Sequence, residues 1–187
     1  MSEKSPGRLT EGLVEFDSDN AVIVQGMSKR PVTAENVPFP GSVDHSKFQS
    51  LLGYHLAQAS IPTNQIFKRN VANVFKLSKV EFTILMLLSS NKGMAPKKLS
   101  TILNIPPPNL TILLGKLDRR GLISREQASQ DKRAQVVSLS SAGVDMVAEL
   151  STVISTMEEG ILQALTMAER AMLLELLRKV SLQRVVD

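Results

Sequence analysis

Nine bases, Lys92, Lys97, Lys98, Lys116, Arg119, Arg120, Arg125, Lys132 and Arg133, fall within residues 92–133, against three acids, Asp118, Glu126 and Asp131. A local excess of this kind makes a positive field that draws polyanions, whereas evenly mixed charges mainly keep a chain soluble. The excess is confined: residues 1–45 carry 4 Lys/Arg against 7 Asp/Glu, and residues 46–187 carry 18 against 11. Other chemistry is poorly supplied. With no cysteine there is no disulfide, thiolate zinc site, cysteine nucleophile or thiol sensor. Histidine occurs only as His45 and His55, too few for a histidine metal site or a catalytic triad. The sequence has no Gly-rich phosphate loop, no zinc motif, no G-x-S-x-G and no convincing carboxylate pair. Asp118, Glu126 and Asp131 lie among bases and read as salt-bridge partners. No enzymatic activity, cofactor or metal is expected.

These side chains need elements to hold them. A chain of 187 residues, 43% hydrophobic, is long enough for one domain with a tail and can bury a core. No stretch reaches the roughly 18 consecutive apolar residues of a membrane span, and the opening MSEKSPGRLTEG lacks a signal peptide's apolar region. Cytoplasm is the default. Residues 1–45 have prolines and glycines near the start and between Pro31 and Gly41, with no sustained period, and read as an acidic extension that is disordered or loosely docked. From Ser46 a helical stripe runs through Phe48, Leu51, Leu52, His55, Leu56 and Ala59 and resumes at Ile66, Phe67, Val71, Val74 and Phe75. Pro62 predicts a kink or split between them.

Ser78-Lys-Val-Glu81 has capping-box spacing and opens a helix through Ile84, Leu85, Leu87 and Leu88 that ends before Gly93. Pro96 suits the first turn of a short helix through Leu99, Ile102 and Leu103, with Asn104 as a left-handed stop. Pro106, Pro107 and Pro108 open the next helix, which turns Leu110, Leu113, Leu114 and Leu117 inward and closes at Gly121. Residues 122–126 and 134–139 are strand-like and flank a polar loop, a hairpin with a basic tip. Ser140 or Ser141 caps a helix with Val144, Val147, Leu150 and Ile154. Thr166-Met-Ala-Glu169 is a second capping box, before Leu173, Leu174, Leu176, Leu177 and Val180.

Two short helices followed directly by a hairpin make a winged helix, and the bases fall where DNA would lie. The second helix of such a pair enters the major groove with its N-terminal residues at the base edges. With the leucines inward, Asn109, Thr111, Ile112, Gly115, Lys116 and Arg119 lie on or near its outer side. Asn can pair with adenine, and Thr offers a hydroxyl and a methyl. Lys116, Arg119 and Arg120 come later, where phosphate contact is expected. Lys97 and Lys98 open the preceding helix, whose exposed amides also favour phosphate. Lys132 and Arg133 sit at the hairpin tip, within reach of an adjacent minor groove. Singly each base fits an ordinary solvated face equally well, and it is their arrival on one winged helix that favours DNA.

In Asn109-Leu-Thr-Ile-Leu-Leu-Gly-Lys-Leu-Asp-Arg-Arg-Gly-Leu-Ile-Ser-Arg125, then Ser129-Gln-Asp-Lys-Arg133, then Val137-Ser-Leu-Ser-Ser-Ala-Gly143, the sequence closely resembles the MarR family of bacterial transcriptional regulators. The likeness covers roughly residues 46–187. It implies a mainly α fold with a small β-hairpin wing: a winged helix-turn-helix at about 78–139, flanked by dimerisation helices at about 46–75 and 141–184. It implies a homodimer on a palindromic operator in double-stranded DNA, in the bacterial cytoplasm. By the same resemblance Arg133 enters the minor groove and Asp131 holds it through an ion pair. The stripe from Leu173 to Val180 would then be dimer contact, although an intramolecular core fits its period equally well. Ala95 stands where a capping Ser or Thr is usual, at a cost of about 1 kcal/mol of local stability. Ile112 stands where many relatives carry Arg, which shifts base reading toward Asn109 and Thr111.

The family's usual mode is repression released by a small organic ligand, often aromatic, held between the dimerisation helices and the winged helix. Tyr54 and His55, on the first long helix, are the residues able to hydrogen-bond a carboxylate or phenol there, though a satisfied core or interface histidine fits His55 better. The rival reading is a winged helix used for protein contact without specific DNA binding. Asp131-Lys132-Arg133 at the wing tip separates the two, since a protein-docking module has no stated need for it.

Overall fold

The computed structural model describes residues 44–127 and 135–183. The chain divides into two units, Met1–Lys47 and Phe48–Asp187. Of the first, only residues 44–47 are described, where the Asp44 carboxylate accepts from the Ser46 amide at 2.9 Å. The sequence reading of residues 1–43 as an extension lies outside the described residues.

The second unit opens with helix α1 (Leu52–Phe67), which continues through a π-helical turn, Lys68–Ala72, and a last α turn, Asn73–Phe75. The expected break at Pro62 does not occur. Pro62 lies inside α1 on an exposed face, so the carbonyl left without its N–H partner is not trapped in a core. The irregularity falls six residues later instead, where the Asn73 amide bonds back to the Lys68 carbonyl in the wider π pattern. Regular α-helix also begins at Leu52 rather than Ser46, after a 3-10 turn at Ser46–Phe48.

Helix α2 (Lys79–Ser89) starts at a complete capping box: Ser78 Oγ accepts from the Glu81 amide at 3.3 Å, and Glu81 Oε2 accepts from the Ser78 amide at 2.8 Å. That pairing explains how Glu81 is tolerated while buried. Lys79 donates to Asn64 Oδ1, and Phe67 meets Phe82 edge-on at 5.5 Å, which together dock α2 against α1. Helices α3 (Pro96–Leu103) and α4 (Pro107–Arg119) follow, then strands β1 (Ile123–Gln127) and β2 (Gln135–Leu139). The strands pair antiparallel, with Ile123 opposite Leu139 and Gln127 opposite Gln135.

A third rung, illegible in the sequence, completes the wing. Met94 and Val137 exchange both backbone hydrogen bonds at 2.9 Å. Gly93 makes this possible: its φ is +113°, and a Cβ there would lie 2.6 Å from Val136 Cγ1 and 2.8 Å from Ser138 Oγ. Helix α5 (Ser141–Ile154) is capped by Ser140, whose Oγ accepts from the Gly143 amide at 3.0 Å. A short α6 (Glu159–Leu162) and α7 (Met167–Ser181) end the described chain, the latter capped reciprocally by Thr166 and Glu169.

The core lies inside the winged helix and its supports. Ile84, Leu85, Leu99, Leu110, Leu114, Leu117, Val137 and Leu150 are essentially inaccessible, drawn from α2, α3, α4, β2 and α5. The apolar stripe of α7 contributes nothing to it. Met172, Leu173, Leu174, Leu176, Leu177 and Val180 are all exposed in the single chain, as are Leu51, Leu52, Leu56 and Ile61 near or along α1.

Candidate nucleic-acid interface

The helix pair is held rigidly. Asn104 ends α3 at φ 52°, a left-handed turn that asparagine accepts more readily than most residues. The Ile105 amide bonds to the Ser100 carbonyl at 3.0 Å, and Ser100 Oγ donates to the Ile105 carbonyl at 2.6 Å. Pro106, Pro107 and Pro108 then occupy the N-cap and first two positions of α4, where their lack of N–H groups leaves no donors to satisfy.

On α3, Lys97 and Lys98 are exposed in the first turn. Ala95 caps nothing, as its side chain dictates, so the amides that open α3 have no side-chain partner. On α4, Leu110, Leu114 and Leu117 are buried, while Asn109, Thr111, Ile112, Lys116 and Arg119 are exposed, in the division that the helical period predicts. Thr111 Oγ1 donates to the Pro107 carbonyl at 2.9 Å, so its proton is committed within the helix and its oxygen can still accept. Lys116 and Arg119 extend from the last turn of α4.

Arg120 has partners within the fold. Its Nη1 donates to the Lys76 carbonyl at 2.9 Å and its Nη2 to the Phe75 carbonyl at 2.8 Å. Lys76 takes the left-handed conformation, φ 54°, at the end of the long first helix, and Arg120 satisfies the carbonyls exposed there. Two of the five guanidinium N–H groups thus join the end of α4 to the end of the first long helix. A contact 44 residues away has no local sequence signal. Asp118 is a salt-bridge partner, as expected: its Oδ2 lies 3.3 Å from Arg125 Nε, off the hydrogen-bond line. Asp131, Lys132 and Arg133, the wing-tip residues, lie outside the described residues.

Tyr54 and His55 do not line the cavity found farther along the helix. Tyr54 stacks on Phe48 with ring centres 5.3 Å apart and meets His55 edge-on at 5.9 Å, while His55 Nε2 pairs with the Gln49 carbonyl at 2.8 Å. These ring contacts and the His55 hydrogen bond lie at the start of α1. An open cavity of about 570 Å³ lies farther along, lined by Ile66, Arg69 and Asn70 of α1 and its π turn, and by Thr156, Met157 and Glu159 before and in α6. The π turn is what the sequence reading lacked, because a single inserted residue leaves no compositional mark.

Known proteins share this arrangement. Residues 77–134 match the MarR family model. A Thauera aromatica protein assigned as the transcriptional regulator of the hcr operon is 22% identical over 135 residues, 72% of this chain and 81% of that protein. The structure of the transcriptional repressor CouR bound to a 23-mer DNA duplex is 28% identical, with a TM-score of 0.69, covering 75% of this chain and 99% of that one. PcaV of Streptomyces coelicolor, solved with its natural ligand, shares the fold at 19% identity and a TM-score of 0.65, covering 76% and 98%. These relatives are regulators, not enzymes. With its helix pair, hairpin wing and flanking helices, the chain has the winged helix-turn-helix fold of these regulators, and its residues 77–134 are similar to the MarR family.

Proposed function

We propose that the chain is a homodimeric, sequence-specific repressor that binds a palindromic operator in double-stranded DNA and is released by a small organic effector. The observation that carries the DNA reading is the outward face of α4, where Asn109, Thr111, Lys116 and Arg119 are exposed beside Lys97 and Lys98 of α3. Asn109 and Thr111 read base edges from the start of the recognition helix, and the bases hold the phosphates. Arg133, paired with Asp131, extends the contact into the minor groove beside Lys132. The DNA-bound structure of CouR supports this docking mode.

The second copy of the chain is the occupant for the exposed faces of α1 and α7. Exposed leucines recur along both flanking helices, and their burial against a symmetric partner would space two recognition helices about one turn of DNA apart. The effector reading rests on the cavity at Arg69 and Asn70, which lies where α1 meets the segment between α5 and α7. PcaV, solved with its natural ligand, shares the fold. Aromatic acids are the class to screen first, with the Arg69 guanidinium as their counter-ion.

An anisotropy titration against DNA flanking the chain's own gene, with random DNA as competitor at two salt concentrations, tests the reading. Binding should survive competitor, saturate at one dimer per palindromic site and weaken with salt. Equal, weak binding to both DNAs would overturn specific recognition and favour the protein-docking alternative.

A further inference from the structure

The centre of the recognition helix presents apolar surface where most of its neighbours are polar. Ile112 is 59% exposed, although it sits in the middle of α4 with Asn109 one turn before it and Lys116 one turn after. Two of the neighbouring residues offer it no free donor. Pro108, four residues earlier and exposed, has no N–H, and the Thr111 hydroxyl proton is held by the Pro107 carbonyl. A branched aliphatic side chain in this setting gains nothing from a polar base edge, which it would strip of water without replacing the hydrogen bond.

Gly115, one turn beyond Ile112, adds an independent observation. Glycine inside a helix costs stability relative to alanine, and among the described residues no contact requires it here. A Cβ built at Gly115 would meet only Arg119 Nη1, at 3.7 Å, an ordinary contact. The bare backbone beside an exposed isoleucine fits a helix that something outside the fold approaches closely.

We propose that Ile112 reads the 5-methyl group of a thymine in the major groove, and that Gly115 lets α4 seat deeply enough to bring the two methyl-bearing surfaces together. Thymine is the one standard base that offers an apolar group in that groove. The inference rests on the DNA-binding reading above and deepens it by assigning a specificity-determining residue.

The test begins with the full-length protein selecting its preferred duplex from a random library, after which each thymine of that duplex is replaced singly by deoxyuridine, which lacks the methyl. For the wild type, one thymine in each half-site should lose about fourfold in affinity on replacement, the value of one buried methyl-sized group. Ile112→Ala should bind the parent duplex more weakly by at least that factor and no longer respond to the replacement. Gly115→Ala should raise Tm while weakening DNA binding, a pair of opposite effects that a structural role would not produce. Wild-type indifference at every thymine, or unchanged uracil sensitivity in Ile112→Ala, would overturn the methyl contact. Wild-type affinity in Gly115→Ala would overturn the seating role. A library that enriches no sequence would instead overturn the DNA reading itself, and that outcome is recognisable before any uracil is introduced.

Discussion

Two exposed bases of one positive stretch, Lys97 and Arg120, stand in different surroundings. Lys97 stands in the first turn of α3 beside amides that no side chain caps, whereas both terminal nitrogens of Arg120 already hold carbonyls at the end of the α1 extension. Salt dependence separates the roles, because each phosphate contact contributes about 0.9 to the slope of log affinity against log salt. Lys97→Ala should lower that slope by about one, weaken all duplexes alike and leave Tm unchanged. Arg120→Ala should lower Tm and DNA affinity together while the slope stays where it was, since what is lost is the placement of α4. A fall in slope in the second variant would return Arg120 to the phosphate-binding set. The composition of residues 92–133 makes the basic patch legible, but it does not sort bases that meet phosphate from bases that meet carbonyls.

At the scale of elements, local devices were the readable ones. The capping boxes at Ser78 and Thr166 and the stop at Asn104 each involve residues within four positions of one another, so residue type and spacing carry the whole interaction. Pro62 misleads because the rule concerns its lost hydrogen bond, and an exposed helix face tolerates that loss. The rung between Met94 and Val137 and the close approach at Gly143 join distant segments and leave no periodic trace. Gly143 faces the Leu122 carbonyl so closely that a Cβ would collide with it, at the point where α5 leaves the wing. Gly143→Ala should therefore cost about 2 kcal/mol or more, measured by denaturant unfolding, despite the gain in helix propensity.

The cap of α7 has its own pH signature. The Thr166 amide and then its hydroxyl hold the Glu169 carboxyl below its ordinary value of 4.5. A carboxyl with a depressed folded pKa stabilises the fold fully above its unfolded value, and that contribution is lost as pH falls through the folded value. Helicity should fall on acidification below about pH 4.5, and Glu169→Gln should remove this part of the response, as read by circular dichroism. An identical acid transition in the variant would show that the cap is not what titrates.

At the scale of the whole molecule, the leucines of α7 bear on a question that periodicity leaves open. A core stripe and an interface stripe have the same spacing, and exposure in the single chain sets this one apart from the core of the described residues, as the proposed dimer requires. Leu174→Asp places a charge on that ridge without touching the winged-helix core. It should shift the protein from dimer to monomer in light scattering and abolish two-site operator binding, while the wing and helix pair stay folded by NMR. A dimer that survives the change would place the interface elsewhere. The cavity, too, is a property of this scale, since Arg69 and Thr156 are 87 positions apart and meet only through the packing of α1 on the segment before α6.

The same bare ridge makes the abundance of the protein part of its physics. Where a large apolar face is covered only by a second copy, association contributes to folding stability by mass action, and each tenfold dilution removes about 1.4 kcal/mol from it. A newly made chain at low copy number would then be both unpaired and less stable, hence the better substrate for proteolysis. If the proposed dimer is the DNA-binding form, occupancy of an unsaturated site by a mostly monomeric pool would rise with the square of the chain's concentration.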